Sequence, residues 1–335
     1  MELKRYHYPL PKECIAQYPT PRGGEKLMVV NREKGTISHR TFSDFTENLK
    51  KGDLLVMNDS RVIPARLIGK KSTGGIVEVL LIKEIEPGRW RCLLKSSKAP
   101  RAGSIISFDK NLYGTIEQRS GSRYEICFSD PEILSLVGLM PLPPYIERNP
   151  EEIDTSAYQT VYAARDGSIA SPTAGLHFTH TMLDSIRSKG IELVYITLHV
   201  GPGTFTPVRE EHIENHTMEP EEFEVSEKSA FRIQQAIVEE RRIIAVGTTT
   251  TRVLEHLLQS AGAVIPGKGS TDFFIYNGYS FQCIDALLTN FHLPCSTLLM
   301  LVTAFGGYDL IMKAYREAIE YGYRFYSYGD AMFII

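Results

Sequence analysis

The sequence predicts an α/β domain, with a sheet flanked by helices, that is interrupted by an inserted all-β, barrel-like domain. Short β-rich runs with turn signals between them fill residues 61–140, a pattern typical of a small antiparallel barrel. After residues 141–144 (PLPP), strand and helix patterns alternate. The simplest division assigns residues 1–60 and 145–335 to the α/β domain and residues 61–144 to the insertion.

Each element rests on a local pattern. A loop-rich lead precedes two apolar runs that indicate buried strands, residues 26–31 and 53–57. The insertion holds six predicted strands, at residues 62–68, 76–82, 90–94, 104–108, 112–118 and 124–128. The last part holds predicted helices at residues 181–189, 226–241, 248–259, 297–305 and 310–321, and predicted strands at residues 191–198, 242–246, 270–276 and 287–290. Gly190 is placed to end the first of these helices, and Ser226 to begin the second.

Composition excludes several classes of protein. The 335 residues suffice for about two domains, and 43% hydrophobic with 23% charged residues is ordinary for a globular chain. Five cysteines without a CxxC pair indicate reduced thiols in a cytosol and argue against a disulfide framework or a structural zinc site. Neither a signal peptide nor an apolar run of about 20 residues is evident. We therefore expect a cytoplasmic protein without a membrane anchor.

The net charge of −3 argues against a protein that coats nucleic acid non-specifically. The charges are nevertheless distributed unevenly along the chain. Residues 60–110 carry eleven Lys and Arg against four Asp and Glu, whereas residues 209–227 carry eight Glu. Lys95, Lys98 and Arg101 in the basic part could follow the phosphates of an RNA. The alternative is that they lie on solvated strand faces and turns.

Two runs rich in Gly, Thr and His mark a ligand site. Residues 172–179 read PTAGLHFT and residues 198–208 read LHVGPGTFTPV, neither of which resembles a core strand. Glycines permit tight turns or close approach, and the hydroxyl and imidazole groups beside them can contact a ligand. The candidate residues in these runs are Thr173, Gly175, His177, His199, Gly201, Gly203 and Thr204.

Two further segments combine a strand end with polar side chains. Residues 246–255 (VGTTTTRVLE) place Thr248 and Thr249 in the first turn of a helix, where free N–H groups suit a carboxylate or phosphate. The alternative is ordinary capping by Thr248. Residues 58–66 (NDSRVIPAR) bring Asp59, Arg61 and Arg66 together, either for a ligand or as a domain-crossing turn held by an Asp–Arg pair.

The remaining histidines and one cysteine leave several interpretations open. His212 and His216 have the spacing of zinc ligands on a helix, but the HExxH order is absent and Pro220 would end the helix. His216 could instead perform acid–base chemistry with Glu219 or Glu221. His292 is placed between a strand and a helix, where a lone histidine is usually structural. Cys295 lies near a helix start, where a thiol pKa can fall.

Taken together, these motifs resemble one enzyme family. NDSRVIPAR, YQTVYA, PTAGLHFT, LHVGPGTFTPV, GTTTTRVLE, LLTNFHLP, STLLMLVTAF and YRFYSYGD follow in this order, after an opening YHYPLPKECIAQYP. The chain resembles the S-adenosylmethionine:tRNA ribosyltransferase-isomerases of queuosine biosynthesis over nearly its whole length. The resemblance implies transfer and isomerisation of the ribosyl part of S-adenosylmethionine onto a 7-aminomethyl-7-deazaguanine at the wobble position of tRNA. Epoxyqueuosine-tRNA, adenine and methionine are the implied products.

The resemblance also implies roles for residues. His177 and His216 would act as base and acid, with Glu221 orienting or sharing the proton, and Tyr326 or Tyr145 would stack on a splayed base. The barrel's Lys95, Lys98 and Arg101 would hold the tRNA. Substrate contacts are expected from Asp59, Arg61, Arg66, Thr173, Gly175, Gly201, Gly203, Thr204, Thr248, Thr249, Arg252, Asn290, His292, Arg324 and Asp330.

Further implications concern cofactors, partners and departures. No metal or redox cofactor is implied, S-adenosylmethionine is a consumed substrate, and we expect a monomer that acts on tRNA. The chain departs from the family at Glu219, where a His is usual, and at Cys295, where Lys or Arg is usual. The rival hypotheses are a metal-dependent hydrolase built on the histidines and a non-catalytic RNA-binding protein built on the barrel. The segment at residues 323–330 could stack on a base or form a C-terminal core strand.

Overall fold

The computed structural model describes residues 1–205 and 208–335, with the side chains of Thr204 and Phe205 outside the description. Within this part the strands are β1 (Lys26–Asn31), β2 (Thr36–Thr41), β3 (Leu54–Asn58), β4 (Ser60–Val62), β5 (Arg66–Lys71), β6 (Ile76–Glu86), β7 (Arg89–Ser96), β8 (Ile105–Ser107), β9 (Tyr113–Ser120), β10 (Arg123–Phe128), β11 (Arg165–Ser168), β12 (Glu192–Leu198), β13 (Glu221–Val225), β14 (Ile243–Val246), β15 (Gly267–Thr271), β16 (Ala286–Asn290) and β17 (Ala331–Ile334). The helices are α1 (Pro131–Val137), α2 (Glu152–Ala157), α3 (His180–Ser188), α4 (Glu227–Val238), α5 (Thr248–Ala261), α6 (Thr297–Gly306) and α7 (Tyr308–Glu320).

A mixed sheet forms the centre of the α/β part, in the order β15-β13-β12-β3-β14-β16-β17-β1-β2. Strands β12, β3, β14 and β16 run parallel, so their carboxyl ends meet at one edge of the sheet. Alternate residues of β3 enter different cores: Leu54 and Val56 pack on one face, Leu55 and Met57 on the other. Burial on both faces explains the continuous apolar runs that predict these strands.

Strands β5 to β10 close into a barrel in the order β10-β7-β6-β5-β8-β9, in which every pairing is antiparallel. A Cβ atom at Gly69 would lie 2.6 Å from Ile106 and 2.7 Å from Phe108, so the small barrel interior requires glycine there. The predicted fold class is thereby confirmed. The domain boundaries at residues 60/61 and 144/145 stay a prediction, and β4 pairs with β11 instead of joining the barrel.

Several predicted elements differ from the structure. Residues 272–276 continue no strand, because β15 ends at Thr271. The sequence patterns also missed β2, β4, β11, β13 and β17 and the short helices α1 and α2. Strands β2 (TISHRT) and β13 (EEFEV) are too polar for local patterns, and their pairing with neighbouring strands forms them. The segment at residues 323–330 is not a strand; it leads into β17.

Two exposed ion pairs join the barrel to the sheet. Arg123 of β10 contacts Glu219 at 2.6 Å, and Lys83 of β6 contacts Glu222 of β13. They place the barrel beside the β12–β13 side of the sheet. In the described residues, no single helix is long and apolar enough to cross a membrane; only the pair α6 and α7, bent by 116°, meets the length and composition test together.

Candidate active site

Two neighbouring cavities lie where the carboxyl ends of β14 and β16 meet the segment before β17, as expected for an open α/β sheet. The inner cavity, of about 70 Å³, is lined among others by Ser171, Thr173, Thr248, Thr249, Asn290, His292 and Tyr326. The outer cavity, of about 570 Å³, is lined among others by Pro19, Arg22, Glu25, Gln159, Thr160, Leu176 and His177. Ser327 lines both.

The start of α5 forms one wall of the inner cavity. Gly247 adopts φ 92°, a left-handed conformation that turns β14 sharply into the helix. It also occupies the N-cap position, so the alternative in which Thr248 caps the helix is wrong. Thr248 and Thr249 line the cavity from the first turn, while the hydroxyl of Thr250 donates to the carbonyl of Val246 at 2.8 Å. The predicted anion-binding turn is therefore at the cavity wall.

The opposite wall comes from the end of β16 and from Tyr326. Asn290 Nδ2 donates to the carbonyl of Tyr326 at 3.0 Å, and this bond holds Tyr326 in a left-handed backbone conformation with φ 73°. Asn290 Oδ1 and the Tyr326 hydroxyl are buried without a hydrogen-bond partner among the described residues. Because buried polar atoms are normally paired, these two atoms mark positions for polar ligand groups.

His292 is a neutral wall of the same cavity. Its Nε2 lies 2.8 Å from Thr289 Oγ1, and burial lowers the pKa of His292 to about 3. An imidazole that stays neutral at physiological pH can position a ligand but cannot supply a proton as a charged acid. Tyr145 and Tyr326, the predicted base-stacking residues, stack on each other at 4.4 Å between ring centroids.

His177 lies in the outer cavity and is 1% exposed. Its Nδ1 is 3.3 Å from Glu25 Oε1, within ion-pair distance, but neither ring nitrogen has a hydrogen bond of good geometry among the described residues. The Phe42 ring packs 4.9 Å from the imidazole. A buried imidazole with unused nitrogens in a cavity is arranged for contact with a reacting group.

Sequence reasoning missed Arg22, Glu25 and Thr160, which line the outer cavity with His177. Arg22 Nη2 donates to the carbonyls of Ser156 at 2.8 Å and Gln159 at 2.6 Å. Arg22 Nη1 and Thr160 Oγ1 are buried without a partner among the described residues. The signal available in the sequence was residues 19–25 (PTPRGGE), a polar Pro/Gly-rich loop directly before the first strand.

Some residues of the two glycine-rich runs line a cavity, and others contact neighbouring side chains of the protein. Thr173 lines the inner cavity. A Cβ atom at Gly175 would lie 1.9 Å from the Tyr162 hydroxyl, so the close neighbour of this glycine is a tyrosine side chain, where the sequence predicts a ligand. Gly201 N donates to Glu221 Oε1 at 2.9 Å. Gly203 packs against Glu219: a Cβ atom added to Gly203 would lie 3.2 Å from the Cβ atom of Glu219. The predicted contact of the Thr204 side chain lies outside the described residues.

Glu221 and Arg252 form a buried ion pair at 5% and 3% exposure. Arg252 also donates to the carbonyls of Phe273 at 3.1 Å and Thr271 at 3.3 Å, which ties α5 to β15 and the loop after it. His216 Nδ1 instead contacts Glu210 Oε2 at 3.1 Å. The structure therefore gives Glu221 an architectural partner and places His216 in neither cavity lining.

Arg324 and Asp330 hold the segment before β17. Asp330 accepts the backbone N–H groups of Lys26 at 2.9 Å and Arg324 at 2.7 Å, and burial raises its pKa. The Arg324 guanidinium donates to the Thr20 hydroxyl and, at 2.9 Å, to the carbonyl of Tyr328. Since Thr20 and Tyr328 line the outer cavity, these two predicted ligand residues shape its wall from behind.

The predicted cluster at residues 58–66 is spread over several contacts. Asp59 accepts from Thr197 Oγ1 at 2.6 Å, and burial raises the pKa of this carboxyl. Arg61 donates to the carbonyl of Ala163 at 2.8 Å, while Arg66 of β5 pairs with Glu78 of β6 at 2.9 Å. None of the three lines either cavity. Arg61 Nη1 lies 3.6 Å from Asp166 Oδ1, so its aspartate partner belongs to β11 and is not Asp59.

Comparison with known proteins identifies the family. A family described as "Queuosine biosynthesis protein" matches residues 3–334. The chain belongs to this family. It is 47% identical to the S-adenosylmethionine:tRNA ribosyltransferase-isomerase of Pelobacter propionicus, with 100% of both chains covered, and 48% identical to that of Coxiella burnetii, with 98% and 97% covered. The crystal structure of the S-adenosylmethionine tRNA ribosyltransferase of Thermotoga maritima is similar with a TM-score of 0.58 and 36% identity, covering 99% of this chain and 100% of that one.

Glu219 and Cys295, where the resemblance implies a departure from the family, both lie in defined local contacts. Glu219 pairs with Arg123 at the barrel, at an exposed position. Cys295 adopts φ 57°, and its Sγ lies 3.7 Å from the carbonyl oxygen of Leu3. Burial raises the pKa of the Cys295 thiol, whereas a position near a helix start would lower it.

The histidines of the metal-hydrolase hypothesis are placed apart. His177 lines the outer cavity and His292 the inner one, whereas His199 contacts Ser60 Oγ at 2.8 Å and His216 contacts Glu210. Across residues 1–205 and 208–335, no group of three His, Cys, Asp or Glu side chains is positioned to hold a metal ion. The described histidines therefore do not form the metal-binding site that the hydrolase hypothesis requires.

The basic residues predicted to hold RNA are on the outside of the barrel. Lys95, Lys98 and Arg101 are exposed and take part in no ion pair among the described residues. In contrast, Arg66 and Arg89 of the same barrel are paired with carboxylates. The charges of the three unpaired cations are therefore available for phosphates.

Proposed function

We propose that this protein transfers and isomerises the ribosyl part of S-adenosylmethionine onto the 7-aminomethyl-7-deazaguanine base at the wobble position of tRNA. The products are epoxyqueuosine-tRNA, adenine and methionine. The match of the family to residues 3–334 carries the proposal. Two adjoining cavities with partnerless buried polar atoms support it, because the reaction must hold two substrates side by side and exclude water.

The chemistry requires proton transfers at defined points. A base removes a proton from the carbon beside the positively charged sulfur, whose charge acidifies it. The bonds from ribose to adenine and from the ring oxygen to the carbon next to the deprotonated one break, and adenine takes up one proton. The aminomethyl nitrogen loses a proton and bonds to the carbon that the ring oxygen left, and the carbon beside sulfur bonds to the former anomeric carbon to close a five-carbon ring. The oxygen on that carbon then displaces methionine from the neighbouring carbon, which forms the epoxide, and the second proton passes to the base and to solvent. We assign the main proton transfer to His177, since it is buried in a cavity, lies 3.3 Å from the Glu25 carboxylate and has no well-aligned hydrogen bond at either nitrogen among the described residues.

We place the methionine carboxylate of S-adenosylmethionine at the start of α5. Thr248 and Thr249 offer N–H and hydroxyl groups there, and the helix dipole favours a negative charge. An inner cavity of about 70 Å³ is smaller than the several hundred Å³ of typical small-molecule sites, so the stacked Tyr145 and Tyr326 must move to admit the nucleoside. Asn290 Oδ1 and the Tyr326 hydroxyl would then find partners on the ligand.

On the RNA side, we propose that Lys95, Lys98 and Arg101 contact backbone phosphates of the tRNA. His216 stays a second candidate for proton transfer, and Glu221, which is paired with Arg252, a third. We further propose that the protein acts as a monomer in the cytoplasm and uses no cofactor besides the consumed S-adenosylmethionine.

Adenine release tests the function directly. The protein is incubated with S-adenosylmethionine and tRNA that carries the aminomethyl-deazaguanine, and unmodified tRNA serves as the control. Release only with the modified tRNA, matched by a gain in mass of the wobble nucleoside, is expected. Tight tRNA binding without release would favour the rival hypothesis of a binding protein.

A further inference from the structure

The outer cavity has the size and position of a binding site, yet none of the expected substrate contacts accounts for its polar groups. It measures about 570 Å³, within the ordinary range for small-molecule sites. Its lining contains one arginine, Arg22, one carboxylate, Glu25, and one imidazole, His177, in the part of the chain that the structure describes. The other walls are largely apolar and include Pro19, Pro21, Ile153, Val161 and Leu176.

Arg22 is held in place with donor capacity left over. Its Nη2 is fixed by the carbonyls of Ser156 and Gln159, which orients the planar guanidinium. Its Nη1 is buried and has no acceptor among the described residues. A buried charged donor without an acceptor is costly, so the site is built for a ligand that brings an oxygen to Nη1.

Glu25 supplies the complementary acceptor. Its side chain is 6% exposed, and Oε2 accepts the backbone N–H of Gly23 at 2.7 Å, which fixes the carboxylate. Oε1 faces His177 at 3.3 Å without a well-aligned hydrogen bond. One guanidinium and one carboxylate in the same cavity favour a ligand that presents a carbonyl oxygen beside N–H donors and carries no net charge on that edge.

The mouth of the cavity suits a macromolecule. Tyr18, next to the lining residue Pro19, is 51% exposed, and Ile153 on the rim is 50% exposed. The Tyr18 ring is held by the Arg148 guanidinium 4.3 Å from its centroid and by a hydrogen bond of 3.0 Å from its hydroxyl to Glu151. A fixed, exposed aromatic ring beside an open cavity is a stacking platform for a nucleotide of single-stranded RNA.

We propose that the outer cavity binds the deazaguanine base of the tRNA acceptor, with Arg22 donating to its ring carbonyl and Glu25 accepting from its ring N–H and 2-amino group. Tyr18 stacks on a neighbouring nucleotide. A guanine-type edge presents this carbonyl beside N–H donors, and arginine and carboxylate side chains are the usual partners of such groups. The inference rests on the proposed function and adds to it which cavity takes which substrate. It places His177 beside the acceptor and leaves the inner cavity for S-adenosylmethionine.

The test compares the KM for each substrate at saturation with the other, in the full-length protein. Arg22→Gln and Glu25→Gln are expected to raise the KM for modified tRNA about 10- to 100-fold, the effect of one buried hydrogen bond to a charged group, and to change the KM for S-adenosylmethionine less than twofold. The control is Arg187→Gln, on an exposed arginine of α3 paired with Asp184, which is expected to change neither value.

A second readout separates base recognition from a structural role. An anticodon stem–loop with a base that lacks the 2-amino group should react more slowly with the unchanged protein, whereas Glu25→Gln should not distinguish it from the full base. If the variants raise the KM for S-adenosylmethionine instead, or change neither KM, or if Glu25→Gln still distinguishes the two bases, the inference is wrong. Should Arg22→Gln not fold, as judged by its thermal unfolding, Glu25→Gln and the stem–loop comparison decide. Absence of adenine release in the unchanged protein would refute the proposed function itself before any variant is compared.

Discussion

Of the sites where an arginine lies near a buried carboxylate, those at Arg252 and Arg22 differ in their hydrogen bonding. At Arg252, Nε, Nη1 and Nη2 all have partners, namely the carbonyls of Phe273 and Thr271 and the carboxylate of Glu221. At Arg22, Nη1 is buried without an acceptor among the described residues. Complete pairing joins strands and helices, whereas a buried donor without a protein partner next to a cavity is placed to contact a ligand.

The extent of hydrogen bonding distinguishes a structural arginine from one that can bind a ligand, which the type of residue does not. Arg252 and Glu221 were predicted to take part in substrate binding and catalysis, and Arg22 and Glu25 were not predicted at all. Both sites consist of the same two types of side chain. The two sites differ in how many arginine nitrogens lack a hydrogen-bond partner within the described part of the chain. Replacing these residues tests whether each site contributes to stability or to substrate binding.

The largest effect is expected at His177. His177→Ala should lower kcat about 10²- to 10⁴-fold, the usual contribution of general acid–base catalysis, while tRNA binding is retained. Adenine release and a filter-binding assay with modified tRNA measure the two properties. His216→Ala, at a residue in neither cavity lining, provides the comparison and is expected to have the smaller effect. Full activity of His177→Ala would remove the catalytic role.

Replacing one residue of the buried pair of Arg252 and Glu221 should lower the free energy of unfolding. Arg252→Met leaves the buried Glu221 carboxylate without its arginine partner, and removal of one partner of a buried ion pair costs about 3–5 kcal/mol. Denaturant unfolding should show this loss for Arg252→Met, and a double variant with Glu221→Gln should lose less than the two single losses added together. A stable Glu221→Gln protein without turnover would instead establish Glu221 as a catalytic group.

The sequence predicts the fold well where a strand or helix carries its own signal. Strand β1 is predicted with its actual bounds, because both faces of the central sheet are buried and the run KLMVVN is largely apolar. Helix α4 begins as predicted, with Ser226 Oγ accepting the N–H of Ser229 at 3.1 Å. Strand β13 was missed because three of its five residues are Glu, and one of these is buried only through the distant Arg252.

The site could be predicted only in part. Thr248 and Thr249 follow the end of β14, Asn290 ends β16 and His292 follows it, so topology brings all four to the inner cavity. The outer cavity depends on the loop at residues 19–25 packing against the segment around Thr160, a contact across more than a hundred residues that no local pattern encodes. The contacts of Arg324 with Thr20 and with the carbonyl of Tyr328 likewise depend on the folded chain and could not be predicted from a local pattern.

His292 should make stability depend on pH. Burial lowers its pKa in the folded protein to about 3, from about 6.5 in an unfolded chain, so the unfolded state binds more protons below pH 6.5. The corresponding stability is complete above that pH and is lost as the pH falls towards 3. From pH 7 to pH 5 the unchanged protein should lose about 2 kcal/mol more of its unfolding free energy than His292→Gln does.

Urea unfolding at the two pH values measures this loss. The control is His180→Gln, at an exposed histidine of α3, which should match the unchanged protein. An equal loss in the His292 variant would show that the imidazole is not held neutral in the folded state. That result would make His292 a candidate for proton exchange in the inner cavity.

A smaller effect is expected at the exposed cations of the barrel. Replacing Lys95, Lys98 or Arg101 by Gln should weaken tRNA binding several-fold and lower the slope of log Kd against log salt by about one for each phosphate that is no longer neutralised. Lys34→Gln, in the exposed turn between β1 and β2, is the matched control. Unchanged slopes in all three variants would place the RNA on another surface.

The smallest effect is expected where this chain departs from its family. Glu219 and Arg123 are 47% and 57% exposed, and an exposed ion pair contributes at most about 1 kcal/mol. Glu219→His, which introduces the residue usual in the family, should therefore change stability by less than that and kcat by less than twofold, as measured by unfolding and adenine release. The exposed pair differs from the buried pair of Arg252 and Glu221 in that water can replace either partner. A large rise in kcat would mean that an imidazole at this position takes part in the chemistry, and the assignment of proton transfer to His177 alone would then be too narrow.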